Sequence, residues 1–123
     1  MTLALIALAG SLGALCRYGV SVAALRWAPG SFPWGTLCVN LVVCFALGWL
    51  AEIAIEDHGL AVRARAVAGT GFLGAFTTFS TFGVETFRAL EAGEWGVAAG
   101  NVLINVVGGI ALAAAGFYLA RAV

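Results

Sequence analysis

The sequence predicts an all-α integral membrane protein with four transmembrane helices, the third broken near its centre. Three observations predict it. Of the 123 residues, 63% are hydrophobic and 10% charged, and the mean hydropathy is +1.05; soluble domains carry about 45–50% apolar and about 25% charged residues. The apolar residues fall into four runs, each near the roughly 20 residues that a helix needs to cross the hydrocarbon core. One run is interrupted by GAFTTFSTFGVET, residues 74–86, where glycines, hydroxyls and phenylalanines cluster. A soluble domain this small buries only about two-thirds of its surface and would leave much of this apolar content in water. The expected organisation is a single four-helix unit over residues 1–123, with no separate soluble domain.

The first span, 2–25, is interrupted only by Arg17. It lacks the basic start of a signal peptide, and Leu15 stands where a lipoprotein signal wants a small residue before Cys16. It is therefore read as a membrane helix and not a cleaved leader. Arg26, Trp27, Pro29, Gly30 and Pro33 form the following turn. The second span, 34–55, ends at Glu56-Asp57-His58-Gly59. The third covers 64–87. The fourth covers 96–119, preceded by Glu91, Gly93 and Glu94 and followed by Arg121. Trp27, Trp34, Trp95 and Tyr118 fall near span ends, where interfacial aromatics concentrate. Cys16, Cys38 and Cys44 form no CxxC pair and read as small buried packing residues.

Six Lys+Arg balance six acids, so net charge carries no sign of nucleic-acid binding. Four spans place both termini on one side, with Arg63, Arg65 and Arg121; the other side holds Arg26 and Arg88. Cytoplasmic loops carry the excess of basic residues, and here there is almost none. The chain has little bias toward either orientation, which an antiparallel dimer would accommodate.

The polar residues at membrane depth carry the functional argument. Arg17 either snorkels toward a membrane face or adds positive potential to an aqueous vestibule that attracts anions. Asn40 lies in the second span, Asn101 and Asn105 one turn apart in the fourth, and Thr77, Thr78, Ser80 and Thr81 in the third. Interhelical hydrogen bonds worth about 0.6–2 kcal/mol each explain many such residues. Their convergence at similar depth, with no carboxylate among them, also suits a pathway for a small anion, because amides and hydroxyls donate hydrogen bonds. Glycine and β-branched threonine are poor helix formers, so Gly74–Phe82 reads as a helix break. Unwound backbone at membrane depth frees carbonyl oxygens that suit a cation such as Na⁺. Gly69-Thr70-Gly71-Phe72-Leu73-Gly74 matches GxGxxG, but that fingerprint requires a preceding strand and a βαβ unit, so the match is incidental. No Ser/His/Asp or Cys/His set argues for an enzyme.

These residues resemble the Fluc (CrcB) fluoride channels of microbes over essentially the whole chain. The resemblance lies in the size, the four spans, Gly10-Ser11-Leu12-Gly13-Ala14-Leu15-Cys16-Arg17-Tyr18, the Gly35–Asn40 stretch, and above all Gly74-Ala75-Phe76-Thr77-Thr78-Phe79-Ser80-Thr81-Phe82. It implies an antiparallel dual-topology dimer in the bacterial plasma (inner) membrane, formed with a second copy or a similar chain. Two pores at the interface would export fluoride passively and lower its toxicity. It further implies a central structural sodium ion on the main-chain carbonyls of Gly74 and Thr77. Asn40, Phe79 and Phe82 match the family's pore residues, Thr81, Ser80 and Asn105 line the path, and Arg17 and Glu85 belong to the vestibule. The family's fourth helix commonly carries Ser or Thr, often after a Tyr; here Asn105 and Asn101 take those places.

Two other functions fit a small four-helix membrane protein. A proton-coupled drug antiporter needs a titratable carboxylate at membrane depth, whereas Glu52 and Glu85 fall near span ends and the first span has none. A non-transporting scaffold would use the same polar residues only to hold helices together.

Overall fold

The computed structural model describes residues 1–56 and 60–122; Asp57-His58-Gly59, where the second span is expected to end, lie outside them. The first helix runs Thr2–Trp27 and the second Trp34–Glu56. The third starts as Leu60–Ala64, widens into a π-helical stretch at Arg65–Leu73, returns to α-helix at Gly74–Phe76, breaks, and resumes at Phe79–Glu91. The fourth comprises Trp95–Leu103, a π turn at Ile104–Gly108, and Gly109–Arg121. Among the described residues, four helices are long and apolar enough to cross a membrane, and the chain is a multi-pass membrane protein. The candidate spans Val62–Glu91 and Trp95–Arg121 extend past the expected 64–87 and 96–119. Their last turns hold Arg88 and Arg121, cations that the carbonyl-rich end of a helix favours.

Packing alternates along the bundle. The first helix lies against the first half of the third, and the second half of the third lies against the start of the fourth. The second helix runs along the fourth in the same direction: Asn40 meets Asn105, Cys44 meets Gly109, and Gly48 meets Ala113. Without a hydrophobic force between helices in lipid, small residues that let backbones approach drive such contacts. A Cβ on Gly13 would strike the Phe72 carbonyl; on Gly48 it would strike the Ala113 carbonyl, and on Gly116 the Phe45 carbonyl. The GxGxxG match is helical, and its Gly71 packs against Ile6 and Ala9 of the first helix.

Among the described residues the buried apolar set is short: Leu37, Val39, Val43, Phe82, Ala89 and Ala98. Most large aliphatic side chains point outward, as they do where the surroundings are as apolar as the core. Trp27, Trp34, Trp95 and Tyr118 are exposed near helix ends. The expectation for the cysteines is corrected: Cys16 and Cys38 are exposed and only Cys44 is half-buried, because the first two fall on outward faces of their helices.

Candidate functional site

The third helix breaks at two threonines. Thr77 (φ −74°, ψ 163°) and Thr78 (φ −155°, ψ 112°) are extended, a conformation that β-branched residues favour. Gly74, expected to help break the helix, stays helical, as do Gly71 and Gly83 on either side of the cluster. Two side chains then divert the backbone donors. The Thr78 N–H donates to Asn40 Oδ1 at 3.0 Å, and the Thr81 N–H donates to Thr78 Oγ1 at 3.2 Å, capping the second half-helix. In a continuous α-helix these two N–H groups would pair with the carbonyls four residues earlier, those of Gly74 and Thr77. Both carbonyls are thus left without a helical donor. Neutral carbonyl oxygens are the hard ligands that half-helix ends offer to Na⁺, so the chemistry at Gly74 and Thr77 fits such an ion.

Asn40 holds the break together. Its Oδ1 accepts from the Thr77 hydroxyl at 2.8 Å as well as from the Thr78 N–H. Its Nδ2 donates to Asn105 Oδ1 at 3.0 Å and, over a longer 3.4 Å, to the Thr78 carbonyl. A carboxamide has two donor hydrogens and an oxygen with two lone pairs, so every position on Asn40 is engaged. The Thr78 contact is the longest and weakest of the four.

The expected site residues divide between two sides of the break. A groove of about 200 Å³ is lined by Asn40, Thr77, Phe79, Phe82 and Asn105, with Cys44 and Val106. Phe79 is 83% exposed and Phe82 only 9%; their ring centroids lie 5.6 Å apart at 47°. On the other side, Arg17 joins Ala14, Tyr18, Ser21, Thr36, Val39, Thr78 and Thr81 around a cavity of about 290 Å³. Arg17 is half-buried against this cavity. Thr81 accepts from the Thr78 hydroxyl at 2.9 Å, which leaves its own hydrogen to donate. Ser80 is exposed, with Oγ 3.3 Å from Thr78 Oγ1, and borders neither space. Glu85 lines an adjoining cavity of about 170 Å³ that shares Ser21 and Thr36 with the Arg17 cavity. Its Oε1 accepts from the Thr36 hydroxyl at 2.9 Å, while Oε2 is buried without a partner.

Sequence reasoning missed Thr36 and Thr86. Thr36 lies one turn before Asn40 on the second helix, a signal that was present. Thr86 donates to the Phe82 carbonyl at 2.8 Å and accepts from Asn101 Nδ2 at 2.9 Å; it lies one turn after Phe82. Asn101 is 1% exposed. Asn105 Nδ2 donates to both the carbonyl and the Oδ1 of Asn101, at 2.9 and 2.8 Å.

Comparison with known proteins gives a consistent assignment. The family profile described as "CrcB-like protein, Camphor Resistance (CrcB)" matches residues 4–117. The chain is 44% identical over 117 residues to the "Fluoride-specific ion channel FluC" of Citrifermentans bemidjiense, covering 95% of this chain and 94% of that one. It is 46% identical over 112 residues to the protein of the same name from Salinibacter ruber, with 90% and 83% covered. To the "Fluoride-specific ion channel FluC 1" of Bacillus cereus it is 38% identical over 115 residues, with 94% and 84% covered.

Proposed function

The chain belongs to the CrcB-like family, and from that premise we propose that it is a fluoride-selective channel rather than an enzyme. Fluoride leaves the cytoplasm passively through two pores at the interface of an antiparallel dimer in the bacterial plasma membrane, formed with a second copy or a similar chain. The observation that carries this reading is the broken third helix, with Asn40, Phe79, Phe82 and Asn105 gathered on one groove at the break. Aromatic ring edges are electropositive, so Phe79 and Phe82 suit a partly dehydrated anion. Thr81, on the Arg17 cavity, would supply a hydroxyl beyond the groove. Ser80, exposed and bordering neither space, would join the path only where a second subunit covers it, and Arg17 and Glu85 would belong to the vestibule. The sodium ion is structural: held by the carbonyls of Gly74 and Thr77, it would supply fixed positive charge that offsets anion desolvation and ties the subunits.

The experiment is ion efflux from liposomes containing the purified protein. Rapid fluoride release without chloride release is expected. Release of both anions, no release from folded protein, or pH-dependent drug exchange would sink the proposal, the last in favour of an antiporter. For the cation, exchanging Na⁺ for a bulky organic cation is expected to abolish conduction or loosen the dimer; if it does neither, Gly74 and Thr77 hold no such ion.

A further inference from the structure

Five side-chain hydrogen bonds run in one sense from the helix break to the phenylalanine turn. The Thr77 hydroxyl donates to Asn40 Oδ1 (2.8 Å), Asn40 Nδ2 to Asn105 Oδ1 (3.0 Å) and Asn105 Nδ2 to Asn101 Oδ1 (2.8 Å). Asn101 Nδ2 then donates to Thr86 Oγ1 (2.9 Å), and the Thr86 hydroxyl to the Phe82 carbonyl (2.8 Å). Each amide accepts at its oxygen and donates at its nitrogen, so the dipoles align and the bonds polarise one another. From this chain we propose that Asn105 and Asn101 are positioning residues. They fix which way the Asn40 carboxamide faces, and thereby couple the break at Thr77–Thr78 to the Phe82 turn. The inference rests on the channel reading above and assigns work within that site.

Local geometry supports the assignment. If the Asn40 amide were turned over, its NH₂ would face the Thr78 N–H, donor against donor, and its oxygen would face Asn105 Oδ1, acceptor against acceptor. Asn105 is itself fixed, because Nδ2 is committed to Asn101. The π turn of the fourth helix begins at Ile104, beside Asn105, and such turns are frequent at functional sites. Asn101 borders neither the phenylalanine groove nor the Arg17 cavity, so it acts through Asn105 and not on the ion.

The test compares Asn105→Leu with Asn105→Ser. Leucine keeps the volume and packs well among apolar helices, whereas serine loses volume but keeps a hydroxyl. That hydroxyl can donate to the Asn101 carbonyl one turn earlier and offer Asn40 an acceptor directly or through a water. A positioning role predicts that N105L loses about tenfold in fluoride flux per folded protein and that N105S retains several-fold more than N105L. It also predicts that ¹⁵N-labelled Asn40 side-chain signals move in N105L and in Asn101→Leu. A packing role predicts the reverse ranking, with leucine above serine and the Asn40 signals unmoved in N101L; that result overturns the inference. Should N105L not fold, Asn105→Ala against N105S isolates the hydroxyl, and equal flux in those two overturns it as well. The Asn40 signals can be read even if the wild-type protein passes no fluoride, which would remove the channel reading and leave the positioning role to be judged on the signals.

Discussion

The second and fourth helices meet along one seam that is built in two opposite ways. Around Gly48 and Gly116 the backbones touch, with no room for a Cβ against the Ala113 and Phe45 carbonyls. Around Asn40 and Asn105 the same helices are held by side-chain amides, and the contact opens onto a groove. The glycine end maximises van der Waals contact, which is what holds helices together in lipid. The asparagine end replaces close packing with polar groups that must all be satisfied, a costly choice at membrane depth. One seam thus joins a close-packed glycine end to a polar asparagine end that opens onto a groove.

Substitutions can break that contrast. Gly116→Leu drives a side chain into the Phe45 carbonyl; it should cost about 3 kcal/mol and leave little folded protein on size-exclusion chromatography. A well-folded G116L would mean that the glycine end is not where stability resides. Phe82→Ile is the converse case. It keeps an apolar side chain in a buried place, so stability should change by less than about 1.5 kcal/mol, while fluoride flux falls about tenfold, equivalent to about 1.4 kcal/mol on the barrier. The smallest effect is expected where the two helices end. Arg121 Nε lies 3.3 Å from Glu52 Oε1, but the arginine side chain is 66% exposed, so Arg121→Gln should cost less than about 1 kcal/mol and leave flux unchanged.

Much of this was legible in the sequence. Four apolar runs gave four helices, and the density of hydroxyls in GAFTTFSTFGVET marked the break. Asn40, Asn101 and Asn105 were recognisable as convergent because their depths matched. What the residues concealed was the division of labour. Glycine's poor helix propensity suggested that glycines break the third helix, yet Gly71 is recruited to close packing with the first helix while Thr77 and Thr78 extend. Thr81 and Phe82 are adjacent in sequence but face different spaces, since neighbours on a helix point about 100° apart. The direction of the amide relay is a tertiary property with no signature in spacing.

If the chain conducts fluoride as proposed, the asparagine end of the seam serves conduction. Asn40→Ala tests this most directly, because it removes a side chain joined to both threonines of the break and to Asn105. Fluoride efflux from liposomes, normalised to folded protein, is predicted to fall at least about tenfold, while the helices stay assembled through Gly48 and Gly116. Wild-type efflux from folded N40A would contradict the account and return the asparagines to the role of interhelical glue.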